Sequence, residues 1–204
     1  MAETLPELVV ADSAAWRTWL GQHGDESSGV WLVLAKKGTT EPTSLSYDQA
    51  LEEALCQGWI DGQLQRRDQH TYRQRFTPRR TSSAWSKRNT GIVERLLSEG
   101  RMQPAGLAAV AQAKADGRWE AAYAGQAAIE VPDDLAAALA AKPAAQAMFA
   151  TLSSQNRYAI LYRVQTAKRA ETRARRVQQY TEMLARGETI YPQKRASEEP
   201  PEMR

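Results

Sequence analysis

The sequence contains few of the residues that build disulfides, metal sites and membrane spans. Its 204 residues include one cysteine and two histidines, so an internal disulfide framework is excluded. Neither histidine has a second ligand at metal spacing. Apolar runs such as Val30–Ala35 are far too short to cross a bilayer, and the acidic N-terminus does not resemble a signal peptide. We therefore expect a cytoplasmic protein with no membrane span, no metal and no other cofactor.

Motifs that identify an enzyme class are also missing. There is no glycine-rich phosphate loop or dinucleotide turn, and the single thiol, Cys56, is expected to be a buried structural residue near a helix C-terminus. Asp61 is a weak candidate for a general acid or base, because it lies between Trp59-Ile60 and Gly62 beside a strand expected to be buried. The alternative is a carboxylate that holds a turn or pairs with an arginine. No catalytic residue is otherwise predicted.

The charge that is present is unevenly distributed. Residues 1–62 contain ten acidic and three basic residues, a balance of −7. Since the whole chain has a formal charge of +3, the remaining residues have a balance of +10. This asymmetry favours an anionic partner for the second part of the chain, or ion pairs between its two parts.

Most of the predicted binding residues belong to one basic segment. Residues 63–88 contain eight bases and one acid, interleaved with aromatic residues. Guanidinium groups match carboxylate and phosphate geometry, and aromatic rings can stack on bases. The predicted ligand-binding residues are Arg73, Arg75, Arg79, Arg80, Trp85, Lys87 and, from the last helix, Arg173. The competing interpretation is a solvated sheet face with salt bridges to the acidic first part.

Arg173 differs from the others because it falls within the apolar stripe of its helix, formed by Val177, Tyr180 and Leu184. A buried guanidinium needs a partner. We expect Arg173 to be mostly buried and paired either with an acid, Asp61 or Glu53 being the candidates, or with a bound anion.

The apolar periodicity predicts an α+β fold. The N-terminal part is a small antiparallel-rich sheet with packed helices, and the C-terminal part is helical. The predicted regions are an α+β domain with a basic β-hairpin (1–100), a helical region (101–193) and a disordered tail (194–204). Ser46 with Gln49 forms a capping box for one helix, and Asp61-Gly62 is expected to form a turn or bulge.

Several strings carry a resemblance to a known family. They are VWLVLAKK (30–37), SLSYDQA (44–50), EALCQGWIDG (53–62), RFTPRR (75–80), SAWSKRN (83–89), GRM (100–102), AKR (167–169) and ETRARR (171–176). In this order and spacing they resemble the YdeI/OmpD-associated (bacteriocin-protection) family over roughly residues 12–187. One departure is Gln57, where the family pattern has an aromatic residue.

The resemblance implies a link to resistance against antimicrobial peptides or bacteriocins and to porin expression. It implies no established catalytic residues. The leading hypothesis is therefore a non-enzymatic binding or stress-tolerance protein whose arginine-rich face takes an anionic partner. The alternatives are a nucleic-acid-binding protein and an enzyme that acts on an anionic small molecule with Asp61 as acid or base. The sequence does not specify an oligomeric state.

Overall fold

The computed structural model describes residues 5–125 and 128–193. The chain divides into two compact units, Met1–Ala122 and Tyr123–Arg204. We call them the N-terminal unit and the C-terminal unit, and each is described by itself. The predicted boundary follows residue 100, whereas the compact units divide after Ala122 because the helix at Pro104–Ala115 packs on an earlier helix of the N-terminal unit.

The N-terminal unit alternates strands and helices. Its elements are β1 (Glu7–Leu8), α1 (Ser13–His23), β2 (Val30–Ala35), α2 (Tyr47–Cys56), β3 (Trp59–Arg66), β4 (Thr71–Pro78), α3 (Lys87–Ser98) and α4 (Pro104–Ala115).

Polar caps define where these helices begin. Asp12 Oδ1 accepts a hydrogen bond from the Ala15 N–H at 2.9 Å, and Ser46 with Gln49 forms the predicted capping box of α2. Each cap satisfies a backbone N–H that the first helical turn leaves without a partner. α1 continues through Gly21 to His23, because glycine in a helix interior is disfavoured but tolerated.

The sheet has four strands in the order β1-β2-β4-β3. β1 runs parallel to β2, and the β2–β4 and β3–β4 pairs are antiparallel. The predicted hairpin is present, and the register between its strands shifts between Asp61 and Leu64, which confirms the expected irregularity at Asp61-Gly62. β1 was not predicted, because two residues are too few for a periodic pattern.

Two hydrophobic clusters stabilise the N-terminal unit. The first joins the sheet to α1 and α2 around Trp16, Leu32 and Phe76, each fully buried. The second joins α2, α3 and α4 around Leu51 and Leu96. Fully burying one such side chain stabilises the fold by about 1.5–3 kcal/mol.

The C-terminal unit is helical, which confirms the predicted α+β class with a helical C-terminal part. Its helices are α5 (Asp133–Ala140), α6 (Pro143–Ala150), α7 (Ser154–Gln165) and α8 (Ala170–Ala185). Its own core includes Leu135, Phe149, Leu161 and Leu184. Within the described residues no helix is long and apolar enough to span a membrane. The predicted tail, 194–204, lies outside the described residues.

Candidate functional site

One cavity of the N-terminal unit is lined by three of the predicted ligand-binding arginines. Its volume is about 640 Å³, and we call it the arginine pocket. The lining residues are Leu5, Ser28, Ile60, Asp61, Arg75, Thr77, Pro78, Arg79, Arg80 and Ser83. Three arginines therefore border one concave surface. Asp61 borders it too, but it stands opposite the buried Phe76, and its carboxylate binds Tyr47 of α2.

The sheet register determines which hairpin residues reach this pocket. Residues that stand opposite each other in an antiparallel pair point to the same face. Arg75 stands opposite Trp31 of β2, and Thr77 stands opposite Ile60 of β3. Phe76, between them, is fully buried in the core. The alternation of β4 thus turns Phe76 into the core and leaves Arg75 and Thr77 on the opposite face, where the pocket opens.

Arg75 packs against the backbone of β3 at Gly62. Its guanidinium lies against Gly62, where an added Cβ would come within 3.0 Å of Arg75 Nε and 3.4 Å of a terminal nitrogen. The Nε atom is enclosed and has no hydrogen-bond acceptor among residues 5–125 and 128–193. Leaving a buried donor without an acceptor costs about 1–3 kcal/mol, and more for a charged group. Because Nε is enclosed, the part of Arg75 that lines the pocket is the rest of its side chain.

Arg79 is held by the loop that follows β4. Its Nη1–H donates to the Ala84 carbonyl at 3.1 Å, and its guanidinium carbon lies 3.5 Å from the centre of the Trp85 ring. The Arg79 backbone N–H donates to the Gly58 carbonyl at 2.9 Å. This packing fixes the direction of the arginine before any ligand arrives. Trp85 is buried beneath it and does not line the pocket.

Arg118 binds the loop that follows β4 at Ser83. Its Nη1–H donates to the Ser83 carbonyl at 2.9 Å, and its side chain is 11% exposed beside Asp116. Ser83 Oγ in turn accepts a hydrogen bond from the Arg80 N–H at 3.2 Å. Arg118 therefore positions the loop from outside the predicted basic segment. Nothing in the sequence pattern near Arg118 indicated this contact.

Asp61 is held by a tyrosine. The Tyr47 hydroxyl donates to Asp61 Oδ2 at 2.9 Å, and Arg88 Nη1–H donates to the Tyr47 hydroxyl at 3.3 Å. Burial, followed by the charge of Asp61 and this hydrogen bond, raises the pKa of Tyr47 to about 12. The tyrosine thus keeps its proton on the bond to Asp61, and the carboxylate stays oriented.

The remaining hairpin arginines lie outside the pocket. Arg67 and Arg73 each form an ion pair with Glu7 at 3.1 Å, and Arg73 also donates to Gln65. Here the competing interpretation is confirmed, because the basic hairpin pairs with the acidic first part of the chain. Lys87 is exposed at the start of α3 and does not line the pocket.

A second arginine cluster surrounds a buried glutamate. Glu53 is 4% exposed, and its carboxylate accepts hydrogen bonds from Arg17 at 2.7 Å and from Arg101 at 2.7 Å. Cys56 borders the same region and is buried, as predicted. Burial, with the charge of Glu53 as the next cause, raises the pKa of the Cys56 thiol to about 11. This cluster satisfies its own charges.

Arg173 is paired within the C-terminal unit. Its guanidinium forms a bidentate pair with Asp134 at 2.6 and 2.9 Å and also donates to the Val164 carbonyl. The expected acid partner is confirmed, but both candidate partners are wrong, since Glu53 and Asp61 have the partners described above. The side chain is 32% exposed, so it is partly rather than mostly buried. It does not line the arginine pocket.

Metal coordination is not indicated by the described part of the chain. Among residues 5–125 and 128–193, no group of three or more histidine, cysteine or acidic side chains is arranged to hold a metal ion.

The fold and the pocket show a two-unit α+β protein whose N-terminal unit has an arginine-lined pocket. The chain belongs to the family described as Domain of unknown function (DUF8412), whose model matches residues 8–109, half of the 204-residue chain. The model of the family described as Bacteriocin-protection, YdeI or OmpD-Associated matches residues 128–187. No curated protein and no solved structure matches the chain.

The two family models match different strings among those that showed the resemblance. The YdeI/OmpD-associated match is confirmed over 128–187, which includes AKR (167–169) and ETRARR (171–176). The earlier strings, from 30–37 to 100–102, fall within the range matched by the domain of unknown function. The lining residues of the arginine pocket, except Leu5, therefore lie within the range matched by the domain of unknown function.

Proposed function

We propose that the N-terminal unit binds a small organic anion in the arginine pocket, and that the protein is a binding protein rather than an enzyme. The observation that carries the proposal is the position of Arg75, which lines one cavity together with two further arginines. Arg79 and Arg80 line the same cavity and add to its positive potential.

The size of the pocket supports a small-molecule ligand. A volume of about 640 Å³ lies within the range of roughly 300–1,000 Å³ that small-molecule sites occupy. Leu5, Ile60 and Pro78 provide apolar walls beside the charged groups. Such a surface favours an organic body with an anionic group over a bare inorganic ion.

The order of the loop also supports binding. The bond from Arg118 to Ser83 and the stacking of Arg79 on Trp85 hold the pocket wall in place. A ligand then does not have to order these side chains, which lowers the entropic cost of association.

The alternatives receive less support. For nucleic-acid binding, the hairpin would need a continuous row of available arginines, but Arg67 and Arg73 are paired with Glu7. For catalysis, Asp61 is the single acidic residue among the described lining residues, but it stands opposite the buried Phe76 and its carboxylate binds Tyr47. An acid–base reaction usually needs a second positioned proton donor or acceptor.

The test is a titration with phenyl phosphate and benzoate, followed by thermal shift and isothermal titration calorimetry. A ligand at a hundred times its dissociation constant should stabilise the protein by about 2.7 kcal/mol. Arg75→Gln removes the charge and keeps a polar side chain, so we expect at least tenfold weaker binding. Equal binding by Arg75→Gln and the wild type would contradict the proposal.

The matched control is Arg66→Gln. Arg66 is exposed on the same hairpin and does not line the pocket, so this variant loses the same charge without touching the site. It should bind like the wild type. A short DNA duplex provides the remaining comparison: tight binding with a steep salt dependence, insensitive to Arg75→Gln, would favour the nucleic-acid alternative.

The description of the C-terminal match supplies a physiological setting for this proposal. The family matched at 128–187 is described as bacteriocin-protection, and we propose that anion binding by the N-terminal unit contributes to tolerance of such peptides. A deletion strain complemented with the wild type or with Arg75→Gln tests this. Loss of tolerance with the variant is expected.

A further inference from the structure

The C-terminal unit contains a second concave surface, a groove between α5 and α8 with a volume of about 600 Å³. We infer that this α5–α8 groove binds a medium-chain alkyl carboxylate, with the alkyl chain along α8 and the carboxylate at Lys142. All of the residues that line the groove belong to the C-terminal unit. The inference is therefore independent of the proposed anion site in the N-terminal unit.

The length of the groove follows from the spacing of its residues on α8. They recur at intervals of three and four positions, so they form one continuous stripe along the helix. At 1.5 Å per residue this stripe is about 16 Å long. Ala138 and Ala141 line the opposite wall, and alanine side chains are too short to fill the space between two helices. The residues of the α8 stripe are Ala170, Arg173, Ala174, Val177, Gln178 and Thr181.

The α8 wall of the groove favours an apolar ligand. Val177 and Thr181 are its most buried residues, 8% and 3% exposed. The Thr181 hydroxyl donates to the Val177 carbonyl at 2.8 Å, and the Gln178 side chain donates to Glu182 at 3.0 Å. Because these polar groups already have partners within α8, a polar ligand would lose hydrogen bonds to water without replacing them. An alkyl chain gains free energy when it leaves water for such a surface.

The charges of the lining favour a ligand with one negative charge. Arg173 and Asp134 bind each other at 2.6 and 2.9 Å, so their charges cancel. Lys142 is exposed, makes no cap hydrogen bond at the start of α6, and has no ion-pair partner among residues 5–125 and 128–193. One cation is therefore left beside an apolar groove. An alkyl chain that ends in a carboxylate complements both parts of this surface.

The first experiment varies the length of the alkyl chain. Octanoate, decanoate and dodecanoate are titrated by isothermal titration calorimetry, each below its critical micelle concentration. The affinity of the wild type should rise about fourfold for each two methylenes, because a half-buried methylene contributes about a factor of two. Equal affinity for all three probes would overturn the inference. Binding to micelles or phospholipid vesicles alone would also overturn it, because a membrane surface would then be the partner.

The second experiment fills the groove. Ala174→Leu places a larger side chain in the middle of the α8 stripe, and decanoate should bind at least about tenfold more weakly because several methylenes lose their contacts. Ala136→Leu is the matched control, because Ala136 is an exposed alanine of α5 that does not line the groove. It should bind decanoate like the wild type. Circular dichroism establishes that both variants are folded. Equal decanoate affinity in the two variants would contradict the inference.

The third experiment removes the free cation. Lys142→Gln should weaken decanoate binding about two- to fivefold, since an exposed ion pair contributes little, and should leave the binding of neutral 1-octanol unchanged. Lys168→Gln is the control, because Lys168 is exposed and does not line the groove. Equal decanoate affinity in Lys142→Gln and the wild type would overturn the placement of the carboxylate and with it the inference.

The variants also separate this site from the arginine pocket and from self-association. Decanoate binding that is lost in Arg75→Gln but kept in Ala174→Leu would overturn the inference, because the ligand would then occupy the arginine pocket. Loss in Ala174→Leu with phenyl phosphate binding retained would support it. A dimer in sedimentation velocity that Ala174→Leu dissociates would assign the groove to a second copy of the chain and overturn the inference.

Discussion

Arginine has two structural roles in this protein, and the partner of each guanidinium separates them. Arg17 and Arg101 are bound to the buried carboxylate of Glu53. Arg75 has an enclosed Nε and faces the arginine pocket without an acceptor among the described residues. The first kind of arginine stabilises the fold by satisfying a buried charge, whereas the second has no such partner among the described residues.

The clearest stability prediction at the residue scale concerns Glu53. Glu53→Gln replaces a carboxylate that binds Arg17 and Arg101 with a neutral amide, so both guanidinium groups lose an anionic partner. We expect the free energy of unfolding to fall by about 1–3 kcal/mol. The loss is smaller than for a fully buried pair, because Arg17 is 58% and Arg101 31% exposed and both can reach water. Urea unfolding followed by tryptophan fluorescence measures it.

The comparison variant for Glu53 is Asp48→Asn. Asp48 pairs with Arg88 at 2.7 Å, but its side chain is 77% exposed, and exposed ion pairs contribute about 0–1 kcal/mol. Should the two variants lose the same stability, burial of Glu53 would not be the reason for its contribution.

At the scale of secondary-structure elements, two arginines of α8 donate to backbone carbonyls at the C-terminal end of α7. Arg173 donates to the Val164 carbonyl, and Arg176 donates to the Arg163 carbonyl. Both carbonyls belong to the last turn of α7, where the helix dipole makes positive charge favourable. Since Arg173 also binds Asp134 of α5, this side chain connects three helices of the C-terminal unit.

Arg173→Ala should therefore loosen the C-terminal unit. The expected loss in the free energy of unfolding is about 1–2 kcal/mol, because the pair with Asp134 is partly exposed and screened by solvent. Thermal unfolding followed by far-ultraviolet circular dichroism measures the change. Arg175→Ala is the control, since Arg175 is exposed on the same helix. An equal effect of both variants would argue against the connection.

The same pair has a predictable pH dependence. The hydrogen bonds from Arg173 hold the pKa of Asp134 below its ordinary value of 3.8. A lowered pKa in the folded state stabilises the fold at neutral pH, and this contribution disappears as the pH falls from the ordinary value through the lowered one. In Arg173→Ala the pKa of Asp134 should rise, which a carboxyl-carbon nuclear magnetic resonance titration would detect.

At the scale of the whole molecule, the two units have separate cores and different chromophores. All six tryptophans lie in residues 1–122: Trp16, Trp19, Trp31, Trp59, Trp85 and Trp119. Tryptophan fluorescence therefore reports on the N-terminal unit, whereas circular dichroism reports on the helices of both units. The two signals can be used to follow the units independently.

We predict that a core substitution affects only the unit that contains it. Leu161→Ala, in the core of the C-terminal unit, should destabilise that unit by about 2–5 kcal/mol and leave the tryptophan transition unchanged. Leu96→Ala, in the N-terminal unit, should shift the tryptophan transition instead. Coincident shifts of both signals in either variant would show that the units unfold as one.

Local chemistry allowed much of the fold to be predicted. The capping box at Ser46 and the apolar periodicity depend on neighbouring residues. The hairpin and the α+β class with a helical C-terminal part therefore followed from the sequence. The basic character of 63–88 followed in the same way. β1 lacks such a local signal.

The partners of the charges were decided by the tertiary structure. Glu7 lies 66 positions before Arg73, and Asp134 lies 39 positions before Arg173, and each carboxylate was one of many that could have served. An ion pair depends on where the folded chain brings two side chains together, and the periodicity of the sequence does not indicate which distant residues meet. By itself the sequence determined the elements and the basic segment. The folded chain decided that Glu7 pairs with Arg73, while Arg75 lines a pocket with Arg79 and Arg80.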